Sequence, residues 1–107
     1  MATLDAEIRD RALAAAKALA REGRVCAAFV FGSYAEGRAD RWSDIDLAAF
    51  MDGAETWDPW RRARVIVQMQ KEVGFDVEAH IFAASDLIHA ESDTFAADII
   101  RRGVRII

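Results

Sequence analysis

Two short apolar runs, Val25-Cys26-Ala27-Ala28-Phe29-Val30-Phe31 and Ile45 to Met51, flank a polar segment and constrain the fold more than any other feature. Runs of this length, bounded by turn-forming residues, suit buried strands. The first ends at Gly32-Ser33, where the chain must turn, and Asp44 leads into the second. Residues 34–43 are polar, contain Gly37 and read as a loop, with room for a short helix opening at Ser33. A strand–turn–strand unit therefore lies near the middle of the chain, and the remaining segments must cover it.

Those segments alternate between helical and extended patterns. Leu4, Ile8, Ala12, Ala15 and Leu19 form one stripe at a helical period, with Thr3 available as a cap and Gly23 as a stop. Asp58-Pro59 reads as an N-cap with proline at the first helical position. That helix is expected to run to about Glu72, with Trp60, Ala63, Ile66, Met69 and Val73 inward and Gly74 closing it. The β-branched Val65-Ile66-Val67 weighs against it locally. Phe75 to Phe82 alternates like a strand, with Phe75, Val77, Ala79 and Ile81 on one face and Asp76, Glu78 and His80 on the other. Ser85 can cap a short helix, a last helix is expected over Asp93 to Arg102, and Gly103 precedes a terminal strand at 104–107. The mixture predicts a small α+β fold, an α/β sandwich of a few strands and packed helices.

Composition narrows the function classes. At 107 residues the chain has room for one core, and no repeat or linker divides it, so residues 1–107 read as a single domain. No apolar run approaches the roughly 18 residues of a membrane span. A net charge of −4 argues against general binding to nucleic-acid backbones, which needs an excess of Lys and Arg. Cys26 is the lone cysteine and sits among apolar neighbours. It reads as a buried strand residue, in a chain suited to a reducing, cytoplasmic compartment.

The chemistry lies between Phe31 and Leu47. Gly32-Ser33 follows a strand, ten residues intervene, and Asp44-Ile45-Asp46 enters the next strand. Period-2 geometry puts Asp44 and Asp46 on one face and turns Ile45 and Leu47 to the core. Two adjacent carboxylates repel unless a cation sits between them, and a hard ion such as Mg²⁺ is the usual resolution. An acidic protein also needs such an ion to approach a triphosphate. Two ions would activate an attacking oxygen and stabilise a leaving pyrophosphate. Gly32 permits close approach of a phosphate, and Ser33 offers a hydroxyl and, at a helix N-terminus, a backbone N–H. A third carboxylate on a neighbouring strand is expected from Glu78, with Asp76 in reserve. The carboxylate nearest the attacking hydroxyl would also take its proton.

Gly32-Ser33, ten residues, then Asp44-Ile45-Asp46 resembles the signature of the DNA polymerase β-like nucleotidyltransferase superfamily, in the compact form of the minimal nucleotidyltransferases. Val77-Glu78-Ala79-His80 is similar to the family's strand with the third metal-site carboxylate, and Phe95 through Val104 to its closing helix and strand. The resemblance implies a polymerase β-like palm. It implies two Mg²⁺ held by Asp44, Asp46 and the third carboxylate, with phosphates over Gly32 and Ser33. Members transfer a nucleoside monophosphate to a hydroxyl and release pyrophosphate, with AMP from ATP the expected case here. Many minimal members pair with HEPN-domain toxins as antitoxins, and adding AMP to a HEPN tyrosine silences the toxin. The chain departs from the pattern at Glu36, where members often carry a basic residue, and in having Glu rather than Asp at position 78. Arg38 is the candidate for the missing positive charge, and Ser43 joins it as a candidate nucleotide contact.

His80 shares a face with Glu78 and reads either as a plain strand histidine or as a contact to nucleotide or metal; His89 has no evident partner. Arg61, Arg62 and Arg64 form a charged solvent face or attract phosphates. Trp57 and Trp60 belong either to the core or to a partner surface, since tryptophan is enriched at interfaces. The leading expectation is an adenylyltransferase antitoxin whose acceptor comes from a HEPN-type partner or a mate in a homo- or hetero-oligomer. The alternatives are a non-catalytic module that covers such a partner, a small-molecule nucleotidyltransferase, and a nucleotide sensor.

Overall fold

The computed structural model describes residues 4–89, 91 and 93–107, and it sets the two central apolar runs side by side. Strands β1 (Val25–Phe31) and β2 (Ile45–Met51) pair antiparallel, with Phe31 opposite Asp46. A register shift between Val25 and Ala27 leaves Cys26 as the extra residue near the start of β1. Strand β3 (Val77–Ala83) lies parallel to β2, reached through a helical crossover, and β4 (Val104–Arg105) pairs antiparallel with β1. The order β3-β2-β1-β4 makes a mixed four-stranded sheet, and the fold is α+β.

Helices α1 (Ala6–Leu19) and α2 (Pro59–Val73) cover one face. Ala12, Ala15, Ala16 and Leu19 of α1 and Val65 and Met69 of α2 pack there on Val30, Ile45, Leu47, Ala49, Met51, Val77 and Ile81. Helices α3 (Ser85–His89) and α4 (Phe95–Arg102) lie on the other face. There Ala96 and Ile99 meet Ala27, Phe29, Ala48 and Phe50, with Phe31, Phe82 and Leu87 at the margin. Polar side chains on this second face lie where Asp46, Glu78 and His80 continue the rows begun by Phe50 and Phe82.

Several local expectations are corrected. Thr3 lies outside the described residues; Asp5 caps α1 by accepting from the Glu7 N–H, and the helix ends at Leu19 on Ala20, well before Gly23. Asp58 does cap α2 and Gly74, at φ +121°, closes it, and of the residues expected inward Ile66, Met69 and Val73 lie against the core while Trp60 and Ala63 do not. Trp60 is 85% exposed and Ala63 is exposed, while Val65 and Met69 point inward. Arg62 also turns in, its guanidinium donating to the carbonyls of Ile81 and Ala54. Arg61 and Arg64 lie beside Glu22, and Trp57 is buried beneath the Arg61 guanidinium. Strand β3 starts at Val77, so Phe75 sits in the preceding turn and is exposed. Helix α4 opens at Phe95, capped by Thr94 rather than at Asp93; the terminal strand is Val104–Arg105, and Ile106 and Ile107 continue the hydrogen bonding to Ala28 of β1. Among the described residues, no helix is long and apolar enough to cross a membrane.

Candidate active site

Parallel pairing of β2 with β3 puts Asp46 and Glu78 in register on neighbouring strands, with His80 two residues farther along. Alternation sends their side chains to the face opposite the buried Ile45 and Leu47. Ligand atoms of Asp46, Glu78 and His80 all lie within 4.8 Å of one another. The His80 ring stands edge-on to Phe31, at 5.2 Å between centroids, and to Phe95, at 5.7 Å. Burial pushes the Asp46 carboxyl above its ordinary range, the nearby Glu78 carboxylate adds to this, and Asp44 contributes further; His80 opposes the shift. Negative charge is thus crowded where the sheet partly excludes water. Two carboxylates and an imidazole in this arrangement suit a divalent cation.

Gly32 closes β1 beside this cluster at φ +72°. A Cβ there would displace the Asp46 carboxylate, and the left-handed backbone favours glycine. The Glu36 N–H donates to the Gly32 carbonyl at 3.0 Å and the Arg38 N–H to the Ser33 carbonyl at 3.1 Å. These bonds form a wide turn, and the short helix expected at Ser33 is absent, so Ser33 has no helix N-terminus behind it. The Ser33 hydroxyl accepts from Arg38 at 3.3 Å. Arg38 also meets one oxygen of Glu36 at 3.2 Å, while the other oxygen takes Arg102 of α4 at 3.1 Å. A cavity of about 80 Å³ opens here, lined by Phe31, Gly32, Glu36, Asp98, Ile99 and Arg102. A larger cleft between α1 and α2 lies across the sheet from the carboxylates and holds the Arg21–Glu72 ion pair.

Three candidates stand apart from the cluster. Asp44 precedes β2 and is exposed; its charge bears on Asp46, but its carboxylate is not among the donors within 4.8 Å. Asp76 is withdrawn from the reserve role, because both its oxygens are taken by Arg11 of α1, at 2.5 and 2.8 Å. Ser43 closes a turn with Asp40: its Oγ accepts the Asp40 N–H at 3.0 Å and lies 3.3 Å from the Asp40 carboxylate. Its hydroxyl is a turn lock in this structure.

The family model for polymerase beta nucleotidyltransferases matches residues 14–107, which takes in every element from the middle of α1 to the terminus. The chain belongs to this nucleotidyltransferase family. No curated protein matches it. Among solved structures, the nucleotidyltransferase is similar to the crystal structure of a toxin-antitoxin with AMP-PNP. Identity is 21%, the TM-score is 0.58, and the match covers 92% of this chain and 72% of that one. That likeness extends the family's fold over nearly the whole chain.

Arg102 and Phe95 also lie beside the candidate site, and His80 joins its carboxylates. For His80 the signal was present, since it alternates in phase with Glu78. Nothing local marks Arg102 or Phe95, which arrive from a helix separated from β1 by more than sixty residues.

Proposed function

We propose that this nucleotidyltransferase transfers AMP from ATP, with Mg²⁺, to a hydroxyl of a partner protein. The observation that carries the reading is the in-register pair Asp46 and Glu78 beside the Gly32-Ser33 turn. The acceptor oxygen bonds to the α-phosphorus, the bond to the bridging oxygen of the β-phosphate breaks, and pyrophosphate leaves. Glu78 would take the acceptor's proton. Asp46 and Glu78 would hold metal, with Asp44 swinging in from its exposed position at the start of β2. Two bound Mg²⁺ would supply charge neutralisation for the triphosphate and the leaving pyrophosphate. Gly32 keeps the backbone open to the phosphates, and Ser33 and Arg38 present a hydroxyl and a guanidinium to them.

The toxin-antitoxin neighbour, bound to an adenine nucleotide analogue, supports AMP as the group and a toxin as the partner. A HEPN-type toxin with an acceptor tyrosine follows from the resemblance to minimal nucleotidyltransferases, and a cytosolic setting fits the single cysteine. The exposed Trp60 and Trp42 favour a partner surface as well. They support equally the second reading, a module that neutralises its partner by covering it.

Mass spectrometry of co-expressed cellular proteins incubated with the chain, Mg²⁺ and each NTP in turn decides between them. A Mg²⁺-dependent gain of AMP on a bound partner, absent with Asp44→Asn/Asp46→Asn, is the expected result. A partner that is bound and neutralised equally well by that double variant, with no mass gain, would sink the enzyme reading.

A further inference from the structure

We infer that His80 is a ligand of the metal site, and that the site therefore prefers Mn²⁺ to Mg²⁺. The inference rests on the reading above and concerns the ion that the same cluster selects. Its ground is geometric. Donor atoms around one ion lie no farther apart than twice the metal–ligand distance, about 4.2 Å for Mg²⁺. Those of Asp46, Glu78 and His80 already lie within 4.8 Å of one another, so side-chain shifts of roughly half an ångström would close them on a single cation.

The ring is also held for the task. Phe31 and Phe95 pack against it edge-on from β1 and α4, which restricts its rotation about the strand. Neither ring nitrogen has a hydrogen-bond partner among the described residues, so a nitrogen lone pair is free to bind. Donor chemistry then sets the selectivity. Oxygen-only sites suit Mg²⁺, whereas an imidazole nitrogen binds first-row transition ions more readily than Mg²⁺, and among those Mn²⁺ is the one that also accepts carboxylate-rich, octahedral coordination.

The test uses the intact chain and Mn²⁺ or Mg²⁺ alone, without nucleotide. Binding is read by calorimetry, and pulsed electron paramagnetic resonance of bound Mn²⁺ reads coupling to nitrogen-14. His80→Phe keeps an aromatic ring between Phe31 and Phe95 while removing the donor, and His80→Gln serves as a second variant should the first perturb packing. Nitrogen coupling in the wild type, Mn²⁺ binding at least about tenfold tighter than Mg²⁺, and loss of both in His80→Phe with Mg²⁺ affinity kept within about threefold would establish the ligand. Mn²⁺ bound without nitrogen coupling, lost in Asp46→Asn but unchanged in both His80 variants, would overturn this inference and leave the proposed activity standing. Binding of neither ion, or binding indifferent to Asp46→Asn, would overturn both.

Discussion

Asp46 and Glu78 face each other from paired positions on parallel strands, and the carboxyl of Asp46 is held above its ordinary range chiefly by burial and then by Glu78. A carboxyl raised in the folded state binds its proton more tightly there than in the unfolded chain. It therefore opposes folding as pH rises from about 4 through its folded pKa, and that cost persists at neutral pH in the absence of metal. Asp46→Asn removes the charge with little change in shape. It should raise the metal-free Tm by on the order of 2–5 °C at pH 7 and abolish AMP transfer, as melting curves with chelator and a pyrophosphate-release assay will read. A lowered Tm in chelator would count against charge crowding as the source of the shift.

Arg11 and Asp76 show the opposite sign. The hydrogen bond from Arg11 holds the Asp76 carboxyl below its ordinary range, and the same guanidinium donates to the Val73 carbonyl at the end of α2. This contribution is present above the unfolded pKa of about 3.9 and is lost as pH falls through the lower folded value. Because the pair is partly exposed, Asp76→Asn should cost about 0.5–1 kcal/mol at pH 7. The difference from wild type should vanish in strong acid, and AMP transfer at a temperature where both are folded should be unchanged. Urea denaturation across the pH range, with a transfer assay beside it, checks both halves.

Gly32 combines a left-handed backbone with contact to Asp46. Gly32→Ala should destabilise the fold by about 1–3 kcal/mol through strain at positive φ and displacement of the carboxylate. Activity should fall much further than stability, on the order of 100-fold, because a misplaced group near the reacting atoms is costly. Near-normal transfer by a folded Gly32→Ala protein would show that Asp46 needs no such close seat.

Glu36 carries both Arg38 and Arg102 beside the Gly32-Ser33 turn. Glu36→Gln keeps an acceptor for one guanidinium, releases the other, and removes a negative charge from the side where a triphosphate would lie. ATP should bind about threefold to tenfold more tightly, an advantage that shrinks with added salt because the charges are exposed and screened. Titration of a fluorescent ATP analogue at low and high ionic strength measures this. Weaker binding at low salt would instead make Glu36 the residue that aims the two arginines.

The core elements were legible because each carries a local signature. Continuous apolar runs marked β1 and β2, Asp58-Pro59 and Gly74 bracketed α2, and the spacing from Gly32-Ser33 to Asp46 pointed to the chemistry. Where local signals erred, the error came from extending a period beyond the element that enforces it. Asp44 and Asp76 share a strand's alternation on paper, but both lie just before the paired residues, which start at Ile45 and Val77. Asp76 then yields to Arg11. On α2 the first turn carried the expected stripe too far, leaving Trp60 and Ala63 in solvent while Val65 joined Ile66, Met69 and Val73 on the core.

The amino-acid sequence by itself determined which segments become strands and helices, and which residues bear the charge and the turn of a nucleotidyltransferase, because propensity, capping and alternation act over a few residues. Only the tertiary structure decided which of those residues meet. Parallel pairing across the α2 crossover chose Glu78 over Asp76 and brought His80 in. The packing of α4 placed Arg102 on Glu36 and Phe95 against His80. Such contacts depend on sheet order and on surfaces that exist once the core has closed, and no short-range pattern encodes them.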